Sequence, residues 1–233
     1  MRSIRNLAVL SILLCTLPLS FAAGPVDAEI GAVYWNSEYS GSGVASLASD
    51  AGSPAFRGSL WLFNKYGLKA GVYKTDLQDF GAVEDSSYTS IDLLWRPLSP
   101  TSNNYLAVGL GWQEMDLNAI GLEGDTSGAR ISVVGRVGLG TLFYAYGEGS
   151  YMPDLDEAVA TTTGFGRFQD LSGQEYEVGI SWKMAPFVNL RAGYRMHRVE
   201  FNQTGLDPLL GFGNAQAGTA ESDGYLLGLV FNF

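Results

Sequence analysis

Histidine is the usual general base at neutral pH, and this 233-residue chain has one, His197. To act, it would need a Ser, Asp or Glu partner held within hydrogen-bond reach. Glu175 and Glu177 stand two residues apart, so on an extended strand they share one face, as paired carboxylates would. Asp154, Asp156 and Glu157 form a short acidic run but lack the remaining ligands of a calcium loop. The glycine-rich pieces Gly135 to Gly140 and Gly164 to Gly166 are not followed by a helix, so they do not form a phosphate cradle. The one cysteine, Cys15, lies in the apolar N-terminal stretch. We therefore expect no catalytic, cofactor-binding or metal-ligating residues and no cofactor. His197 is expected to be structural, and the two glutamates to be paired with neighbouring arginines.

Elements that could position these side chains follow from patterning. Charged residues make up 16% of the chain, against about 25% in an average soluble domain. No segment reads as an uncharged run of about 18 residues, which argues against a helical membrane protein. Arg2 and Arg5 precede an apolar stretch from Leu7 to about Leu19, and the small residues Ser20, Ala22 and Ala23 follow. This reads as a cleaved signal peptide over residues 1–23, leaving 24–233 as one domain. Losing the two arginines takes the net charge from −10 to −12. Such a charge disfavours nucleic acid as a partner.

Period-two alternation gives ten candidate strands, near 28–39, 55–64, 68–77, 87–96, 104–117, 127–138, 141–152, 173–184, 187–200 and 222–233. The last is the clearest. Tyr225, Leu227, Leu229, Phe231 and Phe233 share one face, with Gly224, Gly228, Val230 and Asn232 on the other. The strands holding Trp61 and Tyr146 are aromatic on both sides, which leaves their facing open. At about 3.3 Å per residue and a tilt of about 45°, ten residues cross an apolar band of about 25 Å. The connections alternate short and long, with both termini on the short side, the habit of bacterial outer-membrane barrels. The expectation is an all-β, closed antiparallel transmembrane barrel of about ten strands, or eight if one hairpin is misread, in the outer membrane of a Gram-negative cell.

Alternation alone does not say which face points outward, because a soluble barrel encloses its apolar side chains. Export, loop asymmetry and the terminal aromatic residue favour the membrane reading. Tyr225, Leu227, Leu229, Phe231 and Phe233 then face lipid and carry the signal by which the barrel-assembly machinery recognises a C-terminal strand. Tyr105, Trp112, Trp182 and Tyr225 are expected in interfacial girdles. The other face assigns Arg57, Asp92, Arg96, Arg130, Arg136, Glu148, Glu175, Glu177, Lys183, Arg191, Arg195 and His197 to the lumen. Charges of both signs on adjacent strands should pair, since an isolated buried charge is far more costly.

Four stretches carry a family resemblance: Gly147-Glu148-Gly149-Ser150-Tyr151-Met152-Pro153-Asp154 entering a loop, then Glu175 to Gly179, then Leu190-Arg191-Ala192-Gly193-Tyr194-Arg195, and the closing Phe231-Asn232-Phe233. Over its last third to half the chain resembles the YfaZ-like bacterial outer-membrane proteins. That resemblance implies an outer-membrane location and no particular activity. The function expected is non-enzymatic: a barrel with a largely filled polar lumen, in an envelope or surface role or passing small solutes slowly, with outer-membrane lipid and lipopolysaccharide as partners. The alternatives are a barrel enzyme acting on lipid or peptide, and an adhesin working through its loops.

Overall fold

The computed structural model describes residues 26–42, 48–77, 84–116, 125–156, 158–159, 167–204 and 216–233. The expected signal peptide, residues 1–23, lies outside them, as does Glu157 of the acidic run. The strands in chain order are β1 (Val26–Ser42), β2 (Ala48–Leu62), β3 (Tyr66–Leu77), β4 (Glu84–Thr101), β5 (Asn104–Asp116), β6 (Asp125–Leu139), β7 (Phe143–Leu155), β8 (Ala158–Val159), β9 (Arg167–Ala185), β10 (Val188–Thr204) and β11 (Gln216–Asn232). Each pairs antiparallel with its neighbour, β7 with β9 and β11 with β1, so the sheet closes on itself. The two-residue β8 adds only a short edge to β9. The result is a closed ten-strand barrel. Closure also supplies what lipid demands, because it leaves no edge of unpaired N–H and C=O groups along the wall.

Four expectations are corrected. The ring strands run 12 to 19 residues, longer than about ten. Much of what reads as the long loops 40–54, 153–171 and 201–221 is strand, because β1, β2, β9, β10 and β11 continue beyond the apolar belt. The β2–β3 turn is Phe63-Asn64-Lys65 and not Lys65 to Gly67. Phe63 and Asn64 both take φ of 54°, and the Lys65 N–H closes on the Leu62 carbonyl at 3.0 Å. Phe63 is apolar because it stands exposed at the belt's edge, which makes it look like strand interior. Finally, Tyr105 belongs to no girdle: it is buried inside beside Trp61.

Outward faces form a belt. On β11 it comprises Tyr225, Leu227, Leu229, Phe231 and Phe233, of which Tyr225 is 74% exposed. Tyr34, Trp112, Tyr151, Tyr176, Tyr194 and Tyr225 ring its upper rim, away from the short turns. Tyr66, Trp95, Phe143, Trp182, Phe187 and Phe233 ring the lower one. Eight residues separate the rims on β11, which at about 3.3 Å each and about 45° of tilt gives roughly 19 Å between backbone positions, within an apolar band of about 25 Å.

Above the upper rim the pattern inverts. The outer face becomes polar, with Asn36, Glu38, Lys74, Glu114, Asp154 and Gln174 exposed. The inner face becomes apolar, where Trp35, Met115, Met152, Leu155, Leu171 and Val199 are buried in one cluster with Tyr73, Tyr88 and Leu226. One sheet therefore behaves as a membrane barrel below the rim and as a water-soluble barrel above it, each half following the solvent around it.

Candidate functional site

Between the rims the lumen is filled by charge. Glu177 on β9 is fully buried; its carboxylate meets Arg57 of β2 at 2.5 Å, Arg191 of β10 at 3.0 Å and Arg195 at 3.5 Å, and accepts from the Tyr73 hydroxyl at 3.5 Å. Glu148 on β7 takes Arg191 at 3.0 Å, Arg57 at 3.5 Å and Lys69 of β3. Glu29 on β1 holds Arg136 of β6 at 2.6 Å and Arg191 at 3.7 Å. Glu175 pairs with Arg195 at 3.0 Å and Arg130 at 3.8 Å, and Arg130 reaches Asp92 at 3.1 Å. Six cations and five carboxylates from eight strands thus form one continuous network. A buried charge is tolerable only when paired and hydrogen-bonded, and here each has at least one opposite charge beside it and most have two or three.

Aromatic rings complete the layer. The Arg191 guanidinium lies 3.4 Å over Tyr146, that of Arg195 3.4 Å over Tyr73, and that of Arg136 4.3 Å over Tyr144. Arg96 is sandwiched between Trp61 at 3.5 Å and Tyr105 at 3.7 Å, and donates to Asn64 of the β2–β3 turn. A planar, weakly hydrated guanidinium suits both stacking and bidentate pairing, which explains why arginine, and not lysine, dominates this wall. Tyr146 has room because Gly179 and Gly193 face each other across β9 and β10: a Cβ at either would come within 2.5 Å of the Tyr146 hydroxyl oxygen.

At the level of the upper rim, His197 is buried under the apolar cluster and packs at a tilt of 52° against Tyr88, ring centroids 4.4 Å apart. Gln113 accepts from Arg130 through Oε1 at 2.7 Å, which turns its Nε2–H towards His197 Nε2 at 3.1 Å. That nitrogen is therefore the acceptor, and the ring carries its proton on Nδ1. Its lone pair is committed to an amide, so the geometry presents His197 as one more link in the wall.

Of the residues that alternation assigns to the lumen, Arg57, Asp92, Arg130, Arg136, Glu148, Glu175, Glu177, Arg191 and Arg195 meet in the network. Arg96 and His197 lie below and above it. Lys183 is exposed at the short-turn mouth, outside the network. Sequence reading missed Glu29 and Lys69. Parity was the available signal, since Ile30, Ala32 and Tyr34 face out and leave Glu29 in, while Leu68 and Ala70 do the same for Lys69.

Two cavities bound the site. One of about 30 Å³ lies within the charged layer, lined by Glu29, Arg57, Lys69 and Glu148 among others. That is room for about two water molecules. A vestibule of about 370 Å³ opens at the short-turn end, and Arg136 lines both.

A closed antiparallel barrel with an apolar belt, aromatic rims and a polar interior is the outer-membrane class, and the chain is an integral outer-membrane β-barrel. No protein-family model matches the chain, and no curated protein does. Among solved structures it is similar to the outer-membrane protease OmpT of Escherichia coli, with 13% identity over 93% of this chain and 99% of that one and a TM-score of 0.55. It also aligns with an outer-membrane channel of Pseudomonas putida F1, with 13% identity over 93% and 98% of the chains and a TM-score of 0.44. Neisserial surface protein A aligns with 12% identity over 91% and 99%, at a TM-score of 0.38. At such identities the likeness to OmpT is one of fold.

Proposed function

We propose that this is a non-enzymatic outer-membrane barrel sealed by its own side chains, serving envelope structure and surface interaction. One observation carries the reading: eleven paired charges occupy the lumen between the rims, beneath an apolar cluster that fills it above. An open pore needs a continuous wet path, whereas the cavity in the charged layer has room for about two waters. Residues 1–23 direct export and are removed. The strand ending at Phe233 addresses the chain to the barrel-assembly machinery, and outer-membrane lipid and lipopolysaccharide surround the belt. The resemblance to YfaZ-like proteins agrees with the outer-membrane location.

Purified protein reconstituted into a planar bilayer tests this. Material that shows heat-modifiable migration, and is therefore folded, is expected to give no discrete conductance steps. Reproducible steps from folded protein would replace the sealed barrel by a narrow channel.

A further inference from the structure

We propose that the small cavity within the charged layer is a binding site for one chloride ion, supplied through the vestibule. The layer carries six cations and five carboxylates, a surplus of one positive charge. Arg96 and Asp27, one of each sign, face each other below it and leave that surplus unchanged. Lys183 stands at the mouth, where water reaches it. Acidic side chains outside the barrel are screened by solvent and answer little of a charge held inside. A desolvated charge without a counter-charge is among the most costly features a fold can hold, so the layer is complete only with one more anion.

The cavity lies where the surplus is concentrated. It holds about 30 Å³, and the charged groups lining it are the cations Arg57, Lys69, Arg136 and Arg191 against the carboxylates Glu29 and Glu148. Lys69 has the most exposed side chain of the network's cations, at 14%, and inside the lumen that exposure is to this space. Its ammonium has three N–H groups and one acceptor among the described residues, Glu148. Ser59 of β2, the Cα partner of Lys69, lines the same cavity, and its hydroxyl has no partner among the described residues. Arg136 lines both the cavity and the vestibule, so the way in is from the short-turn end, past the Arg136–Glu29 pair. Water could fill the space but brings no charge. Chloride is little larger than water, accepts several N–H and O–H bonds at once and cancels the surplus, whereas sulfate or a carboxylic acid anion needs more room.

The mature barrel folded in lipid vesicles can be unfolded in urea at fixed ionic strength while chloride replaces gluconate, an anion too large for the cavity. Binding to the folded state alone raises the folding equilibrium constant about tenfold for each tenfold of chloride above the dissociation constant. Wild type should show that rise. Lys69→Gln, which leaves five charges of each sign in the layer, should lose it. Ser59→Ala keeps every charge and should need about tenfold more chloride for the same effect. Crystals grown with bromide as the only halide should give one anomalous peak inside the cavity of the wild type. A folding equilibrium indifferent to chloride, as a neutral Lys69 would produce, an equal response in folded Lys69→Gln, an unchanged chloride requirement in Ser59→Ala, or a cavity without bromide would each overturn the proposal.

Discussion

Replacing Glu177 by glutamine keeps the side chain's shape and removes the one carboxylate shared by Arg57, Arg191 and Arg195. In the native layer six cations face five carboxylates; without Glu177 they face four, and three guanidiniums lose their common counter-charge. Removing one partner of a buried pair costs about 3–5 kcal/mol, because the charges left behind stay desolvated. With a urea dependence of about 1–3 kcal/mol per molar, the unfolding midpoint of Glu177→Gln should fall by at least about 1 M. Adding Arg57→Met to that variant removes one of the stranded cations and should recover part of the loss, although the same change in a well-paired layer is itself destabilising. The measurement is urea unfolding of protein folded into lipid vesicles, followed by tryptophan emission. Wild-type stability in Glu177→Gln within about 0.5 kcal/mol, or a double variant weaker than the single one, would mean that these charges are individually hydrated and that the lumen is wet.

Leu229 lies midway between the aromatic rims on the outer face, so Leu229→Arg should cost about 2–4 kcal/mol in the same vesicle assay, while Glu114→Arg above the rim should change stability little. Met115 is fully buried in the upper cluster; Met115→Ala should cost about 2–5 kcal/mol and be read in the same unfolding curve. Gly193→Ala drives a methyl against the Tyr146 hydroxyl and the Val178 carbonyl, an overpacking worth about 1–3 kcal/mol, and a companion Tyr146→Phe should relieve part of it.

Strand number, pairing order and the faces of β9, β10 and β11 were legible because side chains there alternate strictly between lipid and lumen. The strand holding Tyr146 was ambiguous for a physical reason. Tyr144 and Tyr146 face inward to stack on arginines, so aromatic character no longer marks the lipid side. The same holds for Trp61 beneath Arg96. Strand extensions above the belt read as loops because the polarity of their faces inverts: Leu155 and Leu171 turn inward where a membrane pattern expects polar residues. Glu29 and Lys69 were within reach of parity but share their strands with inward Val33, Trp35 and Tyr73, which dilutes the polar face. The partnering of individual charges depends on how the ring closes, and no single strand carries that information.

The reversal of inner and outer faces at the upper rim is tested directly by a nitroxide scan along β9 and β11. Single cysteines at Val178, Ile180, Leu227 and Leu229 should place the label where dissolved oxygen relaxes it and a water-soluble nickel reagent does not. Cysteines at Ser172, Gln174 and Glu221 should show the opposite preference, and one at Leu171 should be shielded from both. Nickel access at Ile180 and Leu229, or oxygen-rich surroundings at Gln174, would contradict it.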